Sequence, residues 1–216
     1  DLGGANERFR LELERCEALL AMGDTLLVGS GRDLVWIDAK TGARLATVPA
    51  DVRSAWVPHL VPLAEGFLVH GYDDPRIARW NWDRRTADVV VKHDVRHEDG
   101  RYARSYGLTA SPCGARLYVA HWNETIHVLD TRSLELEAIL DVGAAYAHLA
   151  VDAPQRTLLA AAGPRVDILD LATATPRGRA VADAEITSLA IVSPGLALLG
   201  LANGALVQLP FEAAAG

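Results

Sequence analysis

One short phrase recurs along this chain of 216 residues. An apolar run ends in Asp, and Ser or Thr follows three residues later. The apolar run of the phrase ends at Asp38, Asp83, Asp130 and Asp170, and that of a degraded copy ends at Pro210. An Asp side chain in this position can accept hydrogen bonds from backbone amides inside the turn, which stabilises a tight reversal between two strands. We therefore predict that the four aspartates are structural turn residues.

A second apolar phrase recurs with the same spacing, at 25–29, 66–70, 116–120, 157–161 and 196–200. Short apolar runs bounded by turn residues favour strands buried on both faces. Candidate strands precede these runs at 17–22, 54–63, 105–110, 146–151 and 186–192. Weaker strands follow the Asp turns at 43–48, 88–92, 135–140 and 177–182. Four strands, a to d, repeated about every 40 to 50 residues predict an all-β fold, a β-propeller of about five four-stranded antiparallel blades.

The two ends of the chain are predicted to complete each other. The fifth copy, 186–209, supplies strands a, b and c but no strand d. The segment 8–13 alternates apolar and charged residues, which is the period of a half-exposed strand, although a helix over 7–22 is also compatible with its composition. Because a bare sheet edge invites aggregation, we predict that 8–13 supplies strand d of the last blade.

The domain prediction follows from these strands. We expect a linker tail at 1–6, a single propeller domain at 7–211 and a tail at 212–216. The predicted blades lie at about 15–48, 52–92, 103–140, 145–182 and 185–210.

The sequence Trp80-Asn-Trp-Asp83, the sequence Trp36-Ile-Asp38 and the repeat spacing resemble the WD-repeat and related propeller families. The likeness covers nearly the whole chain. The Trp-Asp dipeptide occurs once and the Gly-His pair of the WD repeat is missing, so the chain resembles a divergent, bacterial-type member. The resemblance implies a scaffold that binds other proteins. Whether five blades form the complete ring or part of a larger one stays open.

Composition narrows the class of partner. The formal net charge is −7, whereas nucleic-acid modules usually carry a basic excess. No apolar run approaches the roughly 20 residues that span a bilayer. Cys16 and Cys113 are too few for a disulfide framework, and two reduced thiols fit a cytoplasmic protein. We expect a domain of a larger cytoplasmic protein with a protein partner, or with other domains of the same chain as its partner, and with no cofactor or metal.

The predicted contact surface is the face on which the b–c turns and d–a connections emerge, because loops carry function more often than strands do. Tyr, Trp and Arg, which are enriched at binding hot spots, concentrate there in the second and third blades. Trp36, Trp80 and Trp82 are instead expected in the core. The predicted partner-binding residues are His70, Tyr72, Asp73, Arg76, His97, Arg101, Tyr102, Arg104, His121, Trp122, Tyr146 and His148.

The sequence supports a catalytic site less well than a binding surface. The loop holding His93, His97, Glu98 and Asp99 has no recognised zinc spacing. Ser105 or Ser111 with His148 lacks a nucleophile-elbow pattern. Glu17 and Glu185 form a glycosidase-like carboxylate pair only if the first and fifth blades are neighbours. A non-catalytic interaction or sensor domain is therefore the leading hypothesis. A carbohydrate-processing or small-ligand enzyme, with its site at the mouth of the channel, and a structural self-assembly module are the alternatives.

Overall fold

The computed structural model describes residues 13, 16, 18–50, 59–70, 76–92, 105–152 and 156–212. Within these residues all regular secondary structure is β-strand, and all strand pairing is antiparallel. Four sheets have four strands and one has three. In each sheet, neighbouring strands are also consecutive in the chain, because hairpins connect them. The predicted fold class is confirmed: the sheets are the five blades of a β-propeller.

The first compact unit, Asp1–Val95, contains two blades. Blade 1 consists of β1 (Ala18–Met22), β2 (Thr25–Ser30), β3 (Asp33–Asp38) and β4 (Arg44–Pro49). Blade 2 consists of β5 (His59–Leu63), β6 (Gly66–His70), β7 (Arg76–Asn81) and β8 (Thr86–Lys92).

The second compact unit, Arg96–Gly216, contains three blades. Blade 3 consists of β9 (Ser105–Ala110), β10 (Arg116–His121), β11 (Thr125–Asp130) and β12 (Leu136–Asp141). Blade 4 consists of β13 (His148–Val151), β14 (Thr157–Ala162), β15 (Arg165–Asp170) and β16 (Pro176–Val181). Blade 5 consists of β17 (Ile186–Ser193), β18 (Leu196–Leu201) and β19 (Leu206–Pro210).

Burial follows the apolar pattern of the sequence. Every residue of β6 is buried, and in β10 and β14 only one terminal residue is not. The fourth strands are far more exposed, and no residue of β12 is buried. Strands with continuous apolar runs are buried on both faces, whereas strands that alternate apolar and polar residues bury one face at most.

Large aromatic side chains pack blade 1 against blade 2. The ring centroids of Trp36 and Phe67 are 6.1 Å apart, and those of Trp36 and Trp80 are 6.2 Å apart. Trp36 and Trp80 are buried in the core, as predicted. Trp82 is half-buried and packs on Phe67 at 4.6 Å. Offset and edge-on contacts of this kind stabilise aromatic clusters beyond the burial of their area.

The Asp turns form as expected at three positions. Asp38 Oδ1 accepts hydrogen bonds from the backbone amides of Lys40 and Thr41 at 3.0 and 2.7 Å. Asp130 accepts the same bonds from the amides two and three residues on, at 2.9 and 2.7 Å. The side chain of Asp170 does so at 2.8 and 3.1 Å. These bonds close each c–d hairpin.

The turn of blade 2 corrects the predicted register. Asn81 Oδ1, not Asp83, accepts the bonds of the turn, from the amides of Asp83 and Arg84, both at 3.0 Å. The reason is that β7 ends at Asn81, two residues before the predicted end. Arg85, four residues after Asn81, has a φ of 52°. Gly42, four residues after Asp38, has a φ of 73°, so the two turns are equivalent in geometry as well as in bonding.

The predicted closure of the last blade falls mainly outside the described residues. Among strands the structure describes, β19 pairs only with β18. Residues 8–12 are not described, and Leu13 packs beside Val28, Val35 and Ile37 of blade 1. A strand at 8–13 and a single domain at 7–211 both stay predictions.

Two further findings concern the cysteines and possible membrane-spanning helices. Neither Cys16 nor Cys113 takes part in a disulfide, and both are exposed. The described ranges contain no helix of the length and apolar character that a bilayer span requires.

Candidate functional site

Half of the predicted contact residues lie outside the described residues. They are Tyr72, Asp73, His97, Arg101, Tyr102 and Arg104. His93, Glu98 and Asp99 are also outside the described residues. Across the ranges that are described, no three His, Cys, Asp or Glu side chains come together as a metal site.

Three predicted contact residues are buried instead. His70, His121 and Tyr146 are 1%, 2% and 2% exposed. His70 and His121 are the last residues of β6 and β10, and their side chains turn into the sheet packing rather than into the loops. These three side chains therefore cannot contact a partner directly, which corrects that part of the prediction.

Arg76 and His148 are partly buried at strand starts. His148 begins β13, and burial lowers its pKa, while the Ile186 backbone and the charge of Glu185 act in the opposite direction. Ser111, a candidate nucleophile for a Ser–His pair with His148, lies at the a–b turn of blade 3. There its Oγ accepts a hydrogen bond from the Arg116 amide at 3.0 Å. Strand a begins at the opposite end of a blade from the a–b turn, so the geometry does not support a Ser111–His148 pair.

Trp122 lies on the b–c turn of blade 3 and is 53% exposed. The turn around it is well defined. Thr125 Oγ1 donates to Asn123 Oδ1 at 2.8 Å, and Glu124 adopts a φ of 63°, a left-handed conformation that non-glycine residues rarely adopt. A large aromatic side chain on a fixed turn has little conformational entropy to lose on binding.

A buried carboxylate organises the same end of blade 4. Asp167, on β15, is 2% exposed. Its Oδ1 accepts a hydrogen bond from Arg179 Nε at 2.6 Å, and its Oδ2 lies 3.0 Å from Arg165 Nε. The strand register places Arg179 directly opposite Asp167. One buried charge thus holds two guanidinium groups.

The fourth member of this network is Tyr146, in the d–a connection between blades 3 and 4. Its hydroxyl donates to Asp167 Oδ2 at 2.8 Å. Burial and the neighbouring carboxylate both raise the pKa of Tyr146, so the hydroxyl remains a donor at neutral pH. Tyr146 packs in one apolar cluster with Ala120 and Ile126, which flank the turn carrying Trp122.

The network is buried at its centre and open at its edge. The side chains of Arg179 and Arg165 are 57% and 33% exposed. The hydrogen bond to Asp167 raises the pKa of Arg179 further above its usual value. We name the exposed part, Trp122 with Arg165 and Arg179, the blade 3–4 loop surface.

The sequence analysis missed Asp167, Arg165 and Arg179. One signal for them was available. Asp167 interrupts the apolar strand Val166-Asp-Ile-Leu at the position that Val35 occupies in blade 1. A carboxylate in a strand otherwise buried indicates a paired charge. The pairing partners lie in other strands, so the local pattern does not name them.

The comparisons with known proteins support the fold. No protein-family model matches the chain, and no curated protein matches its sequence. Among solved structures, a chain of the "Crystal Structure of Mitotic Checkpoint Complex" is similar, with a TM-score of 0.68 and 17% identity. The match covers 88% of this chain and 58% of that one. The fold-level resemblance to WD-repeat-like propellers is thereby confirmed. At this identity the likeness shows the fold alone.

Proposed function

We propose that this chain is a non-catalytic protein-interaction domain that contacts its partner through the blade 3–4 loop surface. The observation that carries the proposal is Trp122, a large side chain left 53% exposed on a fixed turn. Trp is among the residue types that dominate binding energy when a partner buries them.

The arginines give the surface its expected specificity. Arg165 and Arg179 are held by one buried carboxylate, so their guanidinium groups are oriented before a partner arrives. An oriented guanidinium recognises carboxylate groups with two parallel hydrogen bonds. We therefore expect the partner to present an apolar pocket for Trp122 beside one or more acidic side chains.

The network beneath the surface supports this reading over a purely structural one. A buried carboxylate paired with charged groups often contributes no more stability than apolar packing would. Its effect here is to hold two partly exposed arginines in position at the b–c end of blade 4, the same end of the strands at which Trp122 lies in blade 3.

The test is comparative capture. The purified domain, immobilised, is exposed to lysate of the source organism, and bound proteins are quantified by mass spectrometry. We expect proteins retained by the wild type to be lost with Trp122→Ala and reduced with Arg179→Gln. Val192→Ala is the matched control, because Val192 is also about half exposed, at 51%, but lies in blade 5.

Thermal unfolding must first show that all variants fold. Capture that is unchanged by Trp122→Ala would refute the proposed surface. The enzyme alternative stays a prediction. Of its two carboxylates, Glu17 lies outside the described residues, and Glu185 is exposed in the connection before β17.

A further inference from the structure

A cavity of about 730 Å³ lies between blades 1 and 2, both in the first compact unit. Met22 ends β1, Ala64 lies in the a–b turn of blade 2 and Asn81 ends β7, so the cavity lies at the a–b and c–d end of the strands. The sequence analysis assigned only turn residues to this end. The volume is within the range of about 300 to 1,000 Å³ typical of ligand sites. We name the cavity the tryptophan cleft, because Trp36 and Trp82 line it.

Trp82 supplies the aromatic surface of the tryptophan cleft. Its ring packs on Phe67, with centroids 4.6 Å apart and ring planes inclined by 48°, yet the side chain remains partly exposed. Trp36 is buried, at 2% exposed, and Met22 adds a partly buried apolar side chain. The negative face of an indole ring attracts the weakly positive hydrogens of C–H groups. An occupant with an apolar C–H face can therefore pack on Trp82.

The guanidinium group of Arg85 is held without a carboxylate. Its Cζ lies 5.8 Å from the centroid of the Trp36 ring, which is a cation–π contact. Among the described residues the guanidinium forms no hydrogen bond or ion pair. The turn does not require this side chain, because Gly42, Leu134 and Ala174 hold the equivalent positions in other blades, also with positive φ. The N–H groups of Arg85 are therefore available as donors to an occupant.

Two carboxylates line the same cleft as Arg85. Glu65 and Asp83 are both exposed, and in the part of the chain that the structure describes neither carboxylate forms an ion pair or accepts a hydrogen bond. The cavity between blades 3 and 4 is different, because Arg177 in its lining is paired with Asp170. The tryptophan cleft thus combines donors and acceptors that do not satisfy one another.

The mixture of unpaired charges favours a neutral ligand rich in hydroxyl groups. A cationic ligand would meet the like charge of Arg85, and an anionic ligand would meet that of Glu65 and Asp83. A hydroxyl group both donates and accepts hydrogen bonds, so a ligand with several hydroxyls can bind all three side chains. Sugars combine such hydroxyls with a C–H face of the kind that packs on Trp82.

We propose that the tryptophan cleft binds a neutral oligosaccharide. Glu65 and Asp83 accept hydrogen bonds from sugar hydroxyls, Arg85 donates to sugar oxygens, and one sugar ring packs on Trp82. Hydrogen bonds to charged groups are roughly twice as strong as those between neutral groups, which gives the site its affinity. This site goes beyond the proposed function and shares no residue with the blade 3–4 loop surface.

The test is isothermal titration calorimetry of the full chain with neutral trisaccharides of glucose, mannose, galactose, xylose and N-acetylglucosamine. Two charged probes are the matched comparison: the cationic trisaccharide of glucosamine and the anionic trisaccharide of galacturonic acid. We expect at least one neutral trisaccharide to bind with a millimolar or lower dissociation constant. It should bind at least about fivefold more tightly than either charged probe, because each charged probe meets a like charge in the cleft.

Substitutions within the cleft locate the site. Asp83→Asn and Arg85→Gln should each weaken binding of that trisaccharide about fivefold to tenfold, because a charge-assisted hydrogen bond is lost. Trp82→Ala should weaken binding about tenfold or more, because the sugar loses its aromatic contact. Trp82 also packs against the core cluster of blades 1 and 2. Trp82→Phe keeps an aromatic ring there, and its affinity should lie between those of the wild type and Trp82→Ala.

Arg84→Gln and Asp88→Asn are the matched controls. Both residues are exposed in blade 2 but lie outside the lining, so their substitution should leave the affinity unchanged. Trp122→Ala should also leave it unchanged, which separates failure of this site from failure of the proposed function. The assignment is overturned if no neutral trisaccharide binds at millimolar concentration, or if a charged probe binds more tightly than every neutral one. Controls that lose as much affinity as Asp83→Asn and Arg85→Gln would overturn it as well.

Discussion

Mild acid is expected to destabilise the protein through His127. This residue lies on β11, is 6% exposed, and its ring centroid is 4.6 Å from that of His121. Burial lowers its pKa from 6.5 to about 4. The folded protein thus holds His127 neutral at a pH where the unfolded chain is already protonated.

The sign and size of the effect follow from this shift. Between pH 6.5 and pH 4 the unfolded state binds more protons than the folded state, so the free energy of unfolding falls as pH falls. The full shift corresponds to about 3 kcal/mol, at 1.36 kcal/mol per pKa unit. Between pH 7 and pH 5 we expect a loss of about 2 kcal/mol. His148, whose pKa burial also lowers, acts in the same direction.

The assay is urea unfolding at pH 7, 6 and 5 on the wild type and His127→Gln. Gln is of similar size but does not titrate, so the variant should lose about 2 kcal/mol less than the wild type over this range. The range stops at pH 5 because Asp38 and Asp130 have lowered pKa values and lose their contribution at lower pH. Parallel pH profiles for the wild type and His127→Gln would refute the reasoning.

Three further substitutions test the fold and the network. Asn81→Ala should cost about 1 kcal/mol of unfolding free energy, whereas Asp83→Ala should be nearly neutral. A larger loss for Asp83→Ala than for Asn81→Ala in denaturant melts would support the turn register predicted from the sequence instead. Gly66→Ala should cost about 3 kcal/mol or prevent folding, because an added Cβ would lie 2.0 Å from the Trp80 carbonyl oxygen, and a wild-type melting temperature would contradict that packing. Asp167→Ala should cost about 1 to 3 kcal/mol, since it leaves the buried Tyr146 hydroxyl without its acceptor, and an unchanged stability in the same melts would mean that the network does not depend on Asp167.

Features that depend on neighbouring residues in the chain could be predicted from the sequence. The b strand of blade 2 was predicted at 66–70 and is observed at Gly66–His70. The turns after Asp38 and Asp130 were predicted correctly because an Asp side chain and the amides it binds are two and three residues apart. The five-fold repeat of these local signals was enough to determine the fold class.

Features that depend on distant residues required the tertiary structure. His70 resembles a loop-end residue in sequence, but packing around it decides that it is buried. Asp167 binds Arg179 and Tyr146, which are 12 and 21 residues away, and only the strand register and the packing of blade 3 on blade 4 bring them together. The sequence alone determined the repeated blades and most of their turns, because those depend on local hydrogen bonding and apolar periodicity. The tertiary structure decided which polar side chains are buried, paired or exposed, because burial and charge pairing depend on contacts between separate strands.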